Sequence, residues 1–143
     1  MSYHPWRDAR DRLPHVEIAL VNHLPRGTRG HACGNRIEIS ALSISDERRS
    51  TLSHEIGHVE RDCLVPIDPV LHAREEATVE RIAARRLVNV DALVDALRWS
   101  RHAPEIAHEL WVDVPMLKAF IASLTPAERA RIDYELDGIE WVP

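Results

Sequence analysis

The segment His54-Glu55-Ile56-Gly57-His58 has the residue types and spacing to do chemistry. Two histidines four positions apart on a helix point the same way. Their imidazole nitrogens can share one zinc ion at about 2.0–2.1 Å. Zinc lowers the pKa of a ligating water toward about 7, and a neighbouring carboxylate can take the released proton. Glu55 is that carboxylate. The chemistry implied is metal-assisted hydrolysis, with His54 and His58 as ligands and Glu55 as general base.

The surrounding helix sharpens the motif. At 100° per residue, Leu52, Ile56, Val59 and Cys63 form one apolar stripe, and His54, Glu55 and His58 lie off it. Cys63 on that stripe reads as a buried thiol. Gly57 sits inside the helix, at a cost of about 1 kcal/mol relative to alanine, which close approach by another element would explain. A catalytic zinc site needs a third protein ligand and one open position. The next helical segment offers Glu76 and Glu80, on one face with Val79, Ala83 and Leu87. A carboxylate on an apolar stripe is costly unless paired, and a metal ion would pair it. Ion pairs with nearby arginines are the competing explanation. Glu76 is the expected third ligand, and Glu80 the alternative ligand or a group that orients one.

Thr51-Leu52-Ser53-His54-Glu55-Ile56-Gly57-His58, then Glu76, then Ile82-Ala83-Ala84-Arg85-Arg86-Leu87, resembles the ImmA/IrrE family of metallopeptidases. The resemblance spans roughly residues 37–87. Aligning the alanine pairs sets the family's acidic position on Glu76. Glu80 stands where the family usually has Asn, and Ile82 where it usually has Phe. The Arg85-Arg86 pair is closer to an actinobacterial or actinophage branch. The resemblance implies an intracellular zinc metallo-endopeptidase whose protein substrate is a regulator, such as a helix-turn-helix transcriptional repressor.

Several elements must position these residues. Val16, Ile18 and Leu20 alternate with Glu17 and Ala19, as in a half-buried strand. Residues 26–35 hold Gly27, Gly30 and Gly34 and read as a loop. Arg36–Ser40, with Ile37 and Ile39 alternating, reads as a second strand and as the edge that could hold an extended peptide. From Ser45 the pattern turns helical. Ser45 or Asp46 would cap a helix that runs to about Cys63 and stops before Pro66. Further helices are expected over Pro69–Val88 and Asp91–Arg101, from Pro104, after Asp113, and from the capping box Thr125-Pro126-Ala127-Glu128. Gly138 to Pro143 reads as a tail. Strands followed by segregated helices make an α+β fold: a small antiparallel or mixed sheet, the metal helix, the ligand helix and a helical C-terminal half.

With 143 residues, one domain (1–143) is expected, residues 1–90 carrying the strands and metal-site helices and 91–143 a helical extension. No apolar run approaches the roughly 18 residues of a membrane span. The polar start lacks a signal-peptide core, so a cytoplasmic location with Cys33 and Cys63 reduced is expected. Cys33 is a poor metal cap, because a catalytic site keeps one position open. A formal charge of −5 speaks against a large nucleic-acid footprint. Residues 106–117 have helix-turn-helix spacing, but Lys118 is the only basic residue of the second helix, so a DNA-binding regulator is disfavoured. The main alternative is a zinc-stabilised interaction or anti-repressor module that does not cut. Trp99, Trp111, Met116 and Phe120 could form an apolar recognition surface. His72, His102, His108 and Tyr134 are candidate transition-state donors, with no spacing to choose among them.

Overall fold

A computed structural model describes residues 2–142. Among them are seven helices and one three-stranded mixed sheet, an α+β arrangement with the strands near the N-terminus. The charged N-terminal segment, where the pattern suggested no element, forms α1 (Pro5–Arg12). Proline opens it, where its missing N–H costs nothing, and Ala9 is buried against the sheet core.

β1 (Glu17–Val21) runs parallel to β3 (Arg36–Ser40), and β2 (Gly30–Cys33) runs antiparallel to β3, in the order β1-β3-β2. Two sequence expectations change here. The glycine-bearing loop contains a strand, and Arg36–Ser40 is the central strand rather than an edge. β2 was hidden because Gly-His-Ala-Cys has neither β-branched residues nor apolar alternation. Ile37 and Ile39 are fully buried, as their alternation required, whereas Leu20 of β1 is half-exposed.

α2 (Ser45–Glu60) begins one residue earlier than expected, at an Ile44 cap whose backbone N–H donates to the Glu47 carboxylate at 3.1 Å. It also ends before Cys63, because Asp62 and Cys63 turn left-handed, with φ of 59° and 51°. Cys63 therefore leaves the apolar stripe and is only partly buried. Leu52 and Ile56 remain on that stripe, fully buried with Ile37, Ile39 and Ala9.

α3 (Pro69–Leu87) is capped by Asp68, which accepts from the Val70 and Leu71 N–H groups at 2.9 and 3.0 Å. It packs against α2 where Gly57 meets Val79, the close approach that the glycine implied. α4 (Val90–Trp99), α5 (Ala103–Glu109), α6 (Val114–Ser123) and α7 (Pro126–Glu135) follow the expected order. Asp113 caps α6 through the Met116 N–H, and the Thr125/Glu128 box closes reciprocally. A second core runs from Ala83 of α3 through α4–α7 to Trp141, and α3 packs against both α2 and α6.

The C-terminal segment is docked rather than a free tail. Trp141 is buried, its indole N–H donating to Asp133 at 2.6 Å, while Pro143 lies outside the described residues. The four-residue recognition surface does not form, because Met116 and Phe120 are core residues and only Trp99 and Trp111 are exposed. No helix among the described residues is long and apolar enough to cross a membrane.

Candidate metal centre

α2 and α3 bring His54, His58 and Glu76 together. The two Nε2 atoms lie 3.0 Å apart. Glu76 Oε2 is 3.2 Å from His54 Nε2, and Glu76 Oε1 is 3.1 Å from His58 Nε2. A tetrahedral ion with ligand bonds of about 2.0–2.1 Å has ligand–ligand edges of about 3.3 Å. The imidazole–imidazole contact is within a few tenths of an ångström of that size, and Glu76 reaches each ring at a similar distance through a different carboxylate oxygen. These residues form a group that could hold a metal ion.

Glu80, one turn beyond Glu76, makes a different contact. Its carboxylate bonds His54 Nδ1, the ring nitrogen facing away from His58. A carboxylate there fixes the ring's orientation and leaves the Nε2 lone pair to the cluster. The geometry separates the two acids that the sequence left open: Glu76 faces both histidines, and Glu80 holds the back of one. Neither acid pairs with an arginine among the described residues; Arg61 takes Glu75 instead, at 2.5 Å. Both acids are partly exposed, so they lie at the rim of the apolar stripe rather than within it.

Glu55 is buried. Burial, reinforced by the charges of Glu76 and Glu80 and partly countered by His54, pushes its carboxyl pKa up to about 7. Burial alone would lower the His54 pKa, but the bonded Glu80 carboxylate, with Glu55 and Glu76 behind it, raises it. His58 moves down, through burial and repulsion from His54, with Glu76 opposing. Acids and imidazoles with divergent proton affinities, gathered beside a cleft, make a candidate functional site.

Two hollows meet at Glu55. One, of about 240 Å³, is walled by Arg29, Ser50, Thr51, Glu80 and Asp113. The other, of about 370 Å³, is walled by Ala32, Cys63, Val65, His58, His72 and Glu76. Gly30, His54 and Glu55 line both, so the hollows form one cleft with the candidate metal group in its middle. Sequence reasoning missed β2 as a wall of this cleft. A Cβ on Gly30 would overlap the Thr51 methyl and come within 3.1 Å of Glu55 Oε1, so the glycine lets the strand lie this close to α2. A glycine at a strand position does signal such an approach.

Of the four candidate donors, His72 alone is among the residues lining the two hollows. His108 bonds Asp46 at 2.7 Å. Tyr134 is exposed on α7 and His102 caps α5. Cys33 and Cys63 are free thiols, and neither belongs to the metal group. No family model, curated protein or solved structure matches the chain.

Proposed function

We propose that this chain is a zinc-dependent metallo-endopeptidase in which His54, His58 and Glu76 hold the metal and Glu55 is the general base. The observation that carries this reading is the convergence of those three side chains at ligand–ligand distances, beside a buried carboxylate, in an open cleft. Two imidazoles, one glutamate and an open fourth position form a donor set used by catalytic zinc sites. Bound there, zinc supplies Lewis acidity at a carbonyl and a water.

The protein residues do the rest. Glu80 holds His54 Nδ1 and keeps the ring turned toward the cluster. Glu55 accepts the proton of the attacking water at its carboxylate and delivers it to the leaving amine nitrogen. Burial pushes the Glu55 carboxyl up to about 7 in the metal-free chain, and a cation beside it would lower that value and favour the charged, proton-accepting form. β2 is an edge strand beside the cleft, so it can pair with an extended peptide through main-chain hydrogen bonds. This moves the peptide-binding edge from Arg36–Ser40 to Gly30–Cys33.

The substrate proposed is an intracellular regulatory protein of the helix-turn-helix repressor kind, a choice that rests on the ImmA/IrrE resemblance of the motif residues. The test is incubation of the zinc-loaded protein with a repressor encoded beside its gene. Cleavage that chelation stops and zinc restores is expected. Relief of repression by an uncut complex would replace the peptidase with a zinc-stabilised binding module.

A further inference from the structure

One apolar surface plays no part in the chemistry just described. Between the end of α2 and the first turn of α3, every large aliphatic side chain faces solvent: Leu64 is 55% exposed, Val65 71%, Ile67 101%, Val70 60% and Leu71 52%. Single exposed aliphatics are ordinary, but five within eight consecutive positions are a local concentration of exposed apolar side chains. Between Cys63 and His72 the only charged residue is Asp68, whose carboxylate is turned onto the N–H groups that open α3. The left-handed pair Asp62 and Cys63 swings this segment out of the line of α2.

The segment reaches the cleft at Val65, which walls the same hollow as His58 and Glu76, as does His72, the residue that follows Leu71. The opposite hollow is walled by Arg29, Ser50, Thr51, Glu80, Asp113 and Met116, mostly polar or charged groups. The two arms of the cleft therefore differ in chemistry, one polar and charged, the other edged with aliphatics.

We propose that the rim formed by Leu64, Val65, Ile67, Val70 and Leu71 recognises large apolar side chains of a polypeptide lying in the cleft, on the His58–His72 side of the metal group. The proposal rests on reading the cleft as a peptide site. The occupant is a polypeptide because the adjoining β2 edge offers main-chain donors and acceptors, which a lipid or an apolar small molecule could not pair. It is apolar on this side because an aliphatic rim gains from covering aliphatic or aromatic surface, about tenfold in affinity for each side chain well buried.

The test uses the full chain loaded with zinc, as Glu55→Gln so that peptides bind without being cut, on an array of random decapeptides. Bound peptides should be enriched in Leu, Ile, Val, Met and Phe at one or two positions. Leu64→Ser/Ile67→Ser/Leu71→Gln on that background should lose the enrichment and bind the strongest peptide at least about tenfold more weakly. Its circular dichroism and zinc content should stay unchanged, because these side chains support no core. The proposal is overturned if no peptide binds, if bound peptides lack apolar enrichment, or if the triple variant binds them equally. It is also overturned if the triple variant dissolves a wild-type dimer in sedimentation while binding peptides as before, since the rim would then be a self-association face. Wild type on the same array separates the two readings. Apolar-dependent binding without cutting removes the peptidase and leaves the rim, and cutting without regard to apolar residues removes the rim and leaves the peptidase.

Discussion

Gly57 of α2 faces Val79 of α3 so closely that a Cβ on the glycine would lie 2.9 Å from Val79 Cγ1. This contact sets how near α3 comes to α2, and hence where Glu76 and Glu80 stand relative to the histidines. Val79 is fully buried and cannot swing aside. Gly57→Ala should therefore destabilise the fold by about 1–3 kcal/mol through overpacking, less the roughly 1 kcal/mol that alanine gains in helix propensity. It should also weaken metal binding. Gly57→Ala/Val79→Ala should cost less than the sum of the single changes in urea unfolding, because the second change removes the clash. Strict additivity would show that the contact does not set the helix spacing.

Glu76 and Glu80 should behave differently in metal titrations. Glu76→Ala leaves two imidazoles and should abolish tight zinc binding. Glu80→Ala leaves all three proposed ligands and loosens the His54 ring, so affinity should fall about 10–100-fold. The reverse order would exchange their roles.

The metal-free protein should lose stability as pH rises from about 4.5 to about 7. Glu55 has its pKa raised in the folded state, to about 7 from 4.5, so the folded chain holds more protons than the unfolded one across that window. Stability then falls with pH there, by an amount on the order of 3 kcal/mol at most. His54 is also raised and acts in the same direction above its ordinary value, whereas His58 is lowered and acts oppositely. The difference between wild type and Glu55→Gln isolates the carboxyl. Urea unfolding in chelator between pH 4.5 and 8 should show wild type losing stability relative to the variant. Parallel curves would mean that Glu55 is not held in a desolvated setting.

Trp141 pins the C-terminal segment onto the helical core, its N–H on Asp133 and the Arg129 guanidinium 5.9 Å from its ring centroid. Trp141→Ala should cost about 3 kcal/mol in unfolding experiments. A loss below about 0.5 kcal/mol, typical of surface substitutions, would mean that the segment is a free tail.

Much of this molecule was legible from local chemistry. The helices α6 and α7 announce themselves through Asp113 and Thr125, side chains that cap them in space as the sequence suggests, while Asp68 and Asn89 cap α3 and α4 without having been singled out. The pairing of His54 with His58 and the approach signalled by Gly57 follow from helix geometry alone. What was hidden depends on partners distant in sequence. Gly30-His31-Ala32-Cys33 becomes a strand because β3 is there to pair with it, not through its own propensity. Trp141 is buried because α7 offers Asp133. Cys63 leaves its stripe because the chain turns left-handed one residue earlier, which no helical wheel reveals.

The most direct test of the central claim measures zinc content and peptide-bond cleavage in the same samples of wild type, His58→Ala and Glu55→Gln. The substrate is the neighbouring-gene repressor. The account predicts one zinc per chain and cleavage for wild type, little zinc and no cleavage for His58→Ala, and one zinc with cleavage reduced about 10²–10⁴-fold for Glu55→Gln. Full zinc in His58→Ala, or undiminished cleavage by zinc-loaded Glu55→Gln, would contradict it.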